Sequence, residues 1–192
     1  MKMIYKGEIF AIAAAIIAIA MTSADGASNS DSPSSPGWFK QNFGSLSWDE
    51  VGSVVESPKD ISFRVKTHVR YKKDESCAGA TGKDTWTRGY GDCKDFAACV
   101  SDLCKQKGFD VSIYVFHKTT GKDRFQGHAV AVGTWNNQTW MSSNGQWYSA
   151  KSFTETKKMV TEGLGWKAEE TIVTPIRNVT TLLIPIPQKR KC

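Results

Sequence analysis

The sequence has no C-x-x-C pair, no two histidines four residues apart, and only three histidines in all. Tetrahedral zinc sites are built from such spacings, so neither a metal nor any other cofactor is expected. Arginine-rich clusters are also missing. The formal net charge of +6 is a mild excess of the kind a solvated surface carries, and the basic tail Lys189-Arg190-Lys191 reads the same way, so nucleic acid is not expected as a partner. There is no internal repeat.

One uncharged apolar run stands out near the start, Ile9 to Met21, preceded by Lys2 and Lys6 and followed by the small residues Thr22, Ser23, Ala24 and Gly26. That is the pattern of a secretory signal over residues 1–24. The run has thirteen residues and as a helix spans about 20 Å, short of the roughly 30 Å of a hydrocarbon core. A removed signal is therefore preferred to an uncleaved anchor, and no transmembrane span is expected after cleavage. Both readings carry the rest of the chain out of the cytoplasm, to a periplasmic or secreted setting. Residues 25–37 are almost entirely Ser, Pro, Asp, Asn and Gly, too polar to bury a core, and read as a flexible leader. Residues 38–192 match one domain of ordinary size, with seven tryptophans to fill it.

Five cysteines remain to be placed: Cys77, Cys93, Cys99, Cys104 and Cys192. In an exported protein four of them can pair. Cys99 and Cys104 fall on one helix with Cα atoms about 8–9 Å apart, too far for a bridge to each other. Cys77 and Cys192 are then their mates, in either order, and Cys93 is left over.

The pattern of elements is helical first and extended later. Ser47 with Glu50 forms a capping box ahead of Val51, Val54 and Val55, and Ser57-Pro58 opens a second helix through Ile61, Val65 and Val69. His68 on that helix reads as a core-edge residue. Tyr71 to Tyr90 reads as a polar loop carrying Cys77 and Trp86. Asp92 then caps a helix in which Phe96, Val100 and Leu103 recur until Gly108. From Phe109 the period becomes two, and His117 at the end of that strand reads as exposed. A second strand carries Gly127-His128-Ala129-Val130. Asn136-Asn137 and Asn144-Gly145 are hairpin turns on either side of a third strand, and Trp147 and Tyr148 follow. A helix near Thr154 to Glu162 and β-branched runs at Thr171 to Ile176 and Val179 to Ile186 complete the chain, the prolines suiting edge positions. The fold class is α+β, with an antiparallel meander.

Cys93 sits in the first turn of its helix, where unpaired N–H groups and the dipole favour a negative sulfur and lower its pKa. A nucleophilic thiol needs a base, and the base needs an orienting partner. His128, with Val130 and Val132 on its face, is placed toward the helix and is the candidate base. Asn144 returns to its level across the hairpin and can accept from an imidazole N–H; its other reading is a turn residue ahead of Gly145.

Gly91-Asp92-Cys93-Lys94-Asp95-Phe96-Ala97 with Arg88 and Gly89 before it, then Gly127-His128-Ala129-Val130, resembles the bacterial transglutaminase-like cysteine proteinases of the papain-like superfamily. Val69-Arg70-Tyr71 and Asp84-Thr85-Trp86 extend the likeness upstream. It implies a nucleophile at the N-terminus of a central helix packed on an antiparallel sheet that carries the histidine. It also implies that Cys93 is the nucleophile and His128 the base. The family's third member is an aspartate, and here Ser143 stands at that position with Asn144 beside it. Asn144 is the first choice and Ser143 the reserve. Lys94 replaces an acidic residue found in calcium-dependent relatives, which argues against a calcium site and would help hold a thiolate. The reaction class implied is acyl transfer through a thioester on a protein or peptide substrate, with hydrolysis favoured over transglutamination. The Cys93 N–H would meet the oxyanion, with Trp86 or Gln126 as the second donor. The competing expectation is a catalytically weak domain of the same fold that binds an envelope or secreted partner.

Overall fold

A computed structural model of the chain describes residues 46–73, 79–119 and 125–176. The expected signal at 1–24, the leader at 25–37, Cys77, the run Val179 to Ile186 and Cys192 lie outside the described residues.

The helices start where their caps dictate. Helix α1, Trp48–Val54, opens on a full capping box in which Ser47 Oγ accepts from Glu50 N at 3.3 Å and Glu50 Oε2 accepts from Ser47 N at 2.8 Å. Helix α2, Pro58–His68, has Ser57 as its cap and proline in its first turn, and buries Ile61 and Val65. Strand β1, Arg70–Tyr71, follows. The stretch read as a loop contains a helix, α3, Gly82–Arg88. Its signal is Thr81 with Asp84 three residues on: Thr81 Oγ1 accepts from Asp84 N at 3.1 Å and donates to its carboxylate at 2.7 Å. Seven residues are too few for a visible apolar period, which is why composition alone reads as loop. Strand β2, Tyr90–Gly91, pairs in parallel with β1, Tyr71 opposite Gly91. Helix α4, Cys93–Gln106, then begins directly at the cysteine, with Asp92 as its cap.

The sheet comprises β3 (Asp110–Thr119), β4 (Phe125–Trp135), β5 (Gln138–Ser143), β6 (Gln146–Ala150) and β7 (Ile172–Ile176). Their order is β6-β5-β4-β3-β7, every pair antiparallel. Between β4 and β5 the turn residues Asn136 and Asn137 have φ of 50° and 60°, and between β5 and β6 Asn144 and Gly145 have φ of 49° and 74°. Both are two-residue turns of the kind whose twist matches a hairpin. Strand β7 lies at an edge, where Pro175 opposite Tyr114 costs little. Before it, Ser152 caps helix α5, Phe153–Gly163.

The pleat divides the sheet residues between two cores. Val111, Ile113, Val115, Ala129, Ala131 and Trp140 are turned to α4, behind which α1, α2 and α3 contribute Val51, Ile61, Val65 and Trp86. Phe116, Val130, Val132 and Met141 are turned to Val160 of α5. Cys99 and Cys104 are free thiols, each fully buried in the α4 core. The expected bridges to Cys77 and Cys192 are therefore absent at these two ends: the sulfurs point into apolar packing, where a small hydrophobe is what the site takes.

Candidate active site

The N-terminus of α4 is fixed by two carboxylates on successive turns of the cap. Asp92 accepts from Lys94 N at 3.1 Å through Oδ1 and pairs with Lys94 Nζ at 2.6 Å through Oδ2. Asp95 has no exposed surface and closes the capping box by accepting from Asp92 N at 3.1 Å. It also accepts from Ala80 N at 2.9 Å and from Arg88 Nη2 at 2.6 Å. One side chain thus ties α3, the segment before it and the cap of α4 together around the cysteine. Gly91 permits this, because a Cβ there would stand 2.5 Å from the Cβ of Asp95. The Asp92-x-x-Asp95 spacing is a capping-box signal readable in the sequence; the ion pair to Arg88 is not.

Cys93 packs against the cluster of Ala97, Ala98, Ile113, Val115 and Ala129, and the backbone at Ala129 and at Lys94 favours a negative sulfur. Ala129 lies past the last rung of the β4–β5 ladder, Ala131 opposite Ser142. The expected lowering of the thiol pKa is not what results. Burial pushes the Cys93 thiol up, more than the backbone at Ala129 and Lys94 and the Lys94 ammonium pull it down, and the Asp92 carboxylate adds to the rise. Lys94 is half of a buried ion pair, so its partner offsets it.

His128 is the residue next to Ala129. Strand alternation turns it to the side of Val130 and Val132, which face α5 rather than α4 as the sequence reading had it. Ser143 lies on that same side, and its Oγ is 2.8 Å from His128 Nε2. The reserve residue, not Asn144, is the histidine's partner. Asn144 is occupied by the turn: its backbone takes the left-handed conformation, and its Oδ1 is buried with no hydrogen-bond partner among the described residues. A residue one step along a strand points to the opposite face, so Ser143 and Asn144 could not both serve. Burial pushes the His128 imidazole down, and the Asp92 carboxylate opposes this. Asp92 therefore acts on both Cys93 and His128, while the hydrogen bond of the His128 ring among the described residues goes to Ser143 and not to the Cys93 sulfur.

Trp86 is removed from the list of oxyanion donors. Its Nε1 donates to Leu46 O at 2.8 Å, its ring stacks on His68 at 3.9 Å between centroids, and it is buried. His68 is a core-edge residue, as expected, with Nε2 2.8 Å from Trp86 O. Gln126 is exposed, two residues before His128 on the same side of β4. His117 is half-buried, with Nε2 3.1 Å from Thr174 Oγ1.

Tyr71 is a residue the sequence reading gave no role. Its phenol feels the Cys93 thiol and the Asp92 carboxylate, and burial of part of the ring keeps it protonated. Among the described residues no group of three or more His, Cys, Asp or Glu side chains is arranged to hold a metal ion, and no helix is long and apolar enough to cross a membrane.

No protein-family model matches the sequence, and no curated protein matches it. Among solved structures, Legionella pneumophila LapG is similar at 16% identity with a TM-score of 0.41, over 53% of this chain and 64% of that one. Its EGTA-treated form gives 16%, 0.42, 56% and 64%. A Cytophaga hutchinsonii protein described as a cysteine-protease candidate gives 13% identity and a TM-score of 0.40, over 68% of this chain and 46% of that one. The chain spans less than two thirds of the length of each of these structures. Likenesses this distant do not bear on the chemistry, which rests on the geometry above.

Proposed function

We propose that this chain is an exported cysteine peptidase or amidase of the transglutaminase-like type, with Cys93 as nucleophile, His128 as base and Ser143 orienting the imidazole. What supports the reading is Cys93 in the first turn of α4, packed on the cluster that holds Ala129 of β4, with the ring of the adjacent residue, His128, held by Ser143 Oγ at 2.8 Å. For Nδ1 to take the thiol proton it must be unprotonated, so Nε2–H is the donor to Ser143. The shifts on both groups favour neutral forms, so the resting pair is thiol and imidazole. The thiolate forms as the sulfur attacks the acyl carbon, the proton passing to Nδ1 and then to the leaving amine. The Cys93 N–H and the Gln126 amide are the groups to meet the oxyanion. Water then cleaves the thioester. Export rests on the run Ile9 to Met21.

The test is alkylation of the reduced, folded protein by iodoacetamide, read at the Cys93 peptide, in the parent and in His128→Ala. A base at His128 predicts a loss of at least about tenfold in the variant near neutral pH. Equal rates would remove the dyad. The second reading, a binding module with weak turnover, draws on Ser143 standing where a carboxylate would stabilise imidazolium. It predicts that Cys93→Ala keeps the biological activity, an outcome the peptidase reading forbids.

A further inference from the structure

We infer that Tyr71 is a docking platform for an apolar or aromatic side chain of the peptide substrate, beside the scissile bond; this deepens the peptidase reading and rests on it. Large apolar rings are ordinarily buried, and Tyr71 is 58% exposed. Its place is nevertheless fixed by backbone rather than left to a free loop. Arg70 N donates to Gly89 O at 3.0 Å and Lys72 N to Gly91 O at 2.8 Å, so the residue between them is clamped opposite Gly91, two positions before the nucleophile. The neighbouring aromatic on this bridge, Tyr90, is less open at 38% and already carries two cations: Lys72 Nζ lies 4.5 Å and the Arg88 guanidinium 5.2 Å from its ring centroid. Side chains alternate along an extended strand, so Tyr71 projects away from Lys72, to the side of Gly91 and the cap of α4. A rigid ring with an open face costs little entropy to bind against and is the kind of anchor that selects a substrate side chain.

The phenol hydroxyl offers a rival role, hydrogen bonding to substrate, and the test separates the two. The full chain, reduced, is alkylated in parallel with iodoacetamide and with N-benzyl iodoacetamide, and the ratio of the two rates is measured at the Cys93 peptide by mass spectrometry. Aromatic contact of about 0.5–1.5 kcal/mol predicts a ratio of roughly two- to tenfold in favour of the benzyl reagent. The ratio should fall to about one in Tyr71→Ala and be kept in Tyr71→Phe, as expected from loss and retention of the ring. A parent ratio of one or less, an undiminished ratio in Tyr71→Ala, or its loss in Tyr71→Phe would each overturn the proposal. The peptidase reading is judged separately, by the absolute rate of Cys93 and its dependence on His128, whereas the ratio is normalised to one sulfur and reports the ring alone.

Discussion

At the scale of single residues the site is a neutral pair. The Cys93 thiol is raised and the His128 imidazole lowered, both chiefly by burial. The rate of Cys93 alkylation is therefore expected to climb steadily with pH from about 7 to beyond 8.5, the free-thiol value, with no acid-side plateau of the kind a preformed thiolate–imidazolium pair produces. A plateau below neutrality would contradict it. Ser143→Asp introduces the charge that a hydroxyl lacks, within reach of Nε2. Imidazolium is then favoured, and the rate near pH 7 should rise by about tenfold or more, with the profile moved toward acid. These residues were legible to different degrees. Cys93 and His128 stand out in the sequence because their motif residues are contiguous. The third member did not, because two adjacent polar residues differ only in which face of β5 they occupy, and that depends on where the hairpin turns. The turn residue was itself the better-looking hydrogen-bond partner.

At the scale of elements, α4 is only as well placed as its cap. Asp95 is a fully buried carboxylate with an arginine and two backbone donors on it. Asp95→Ala leaves those donors without an acceptor and Arg88 without its partner, and is expected to cost about 3–5 kcal/mol in urea denaturation. The Cys93 alkylation rate should change with it, since the helix start moves. By contrast Ser47→Ala removes one cap bond on an exposed helix end and should cost about 1 kcal/mol without touching that rate. The helices with serine caps and the meander strands were readable because caps and alternation are local. Helix α3 was not: its two anchors, Gly82 N on Asp102 at 2.8 Å and Arg88 on Asp95, come from a helix that follows it in the chain.

For the whole molecule, Cys99 and Cys104 have become core. Burial pushes the Cys104 thiol up to about 12 and raises that of Cys99 as well. An acid whose pKa is raised by folding contributes stability that is fully present below its unfolded value and is lost as pH rises toward its folded one. Unfolding free energy is thus expected to decline above about pH 8.5, by up to roughly 1.4 kcal/mol per pH unit for each thiol. Cys104→Ala, whatever its effect on packing, should make that decline shallower; an unchanged slope would show that the buried thiols are not its source. Cysteine count read with an expected export signal points to bridges, and the placement of these two sulfurs inside the α4 core says otherwise.

The turn that presents Ser143 does not hang free. A Cβ on Gly145 would lie 2.7 Å from Lys66 N of α2, and the Lys66 side chain bonds Gln146 on the far side of the turn. Helix α2 contributes no group to the chemistry, and its one histidine is stacked on Trp86, yet it is the surface on which the imidazole's partner rests. The helix and the hairpin share a load, so tilting one moves the other. Gly145→Ala, with a left-handed backbone and no room for a methyl group, should cost about 1–3 kcal/mol from the backbone alone. It should also draw Ser143 off His128, so that the variant's alkylation profile comes to resemble that of Ser143→Ala, although the substituted residue touches neither the sulfur nor the ring.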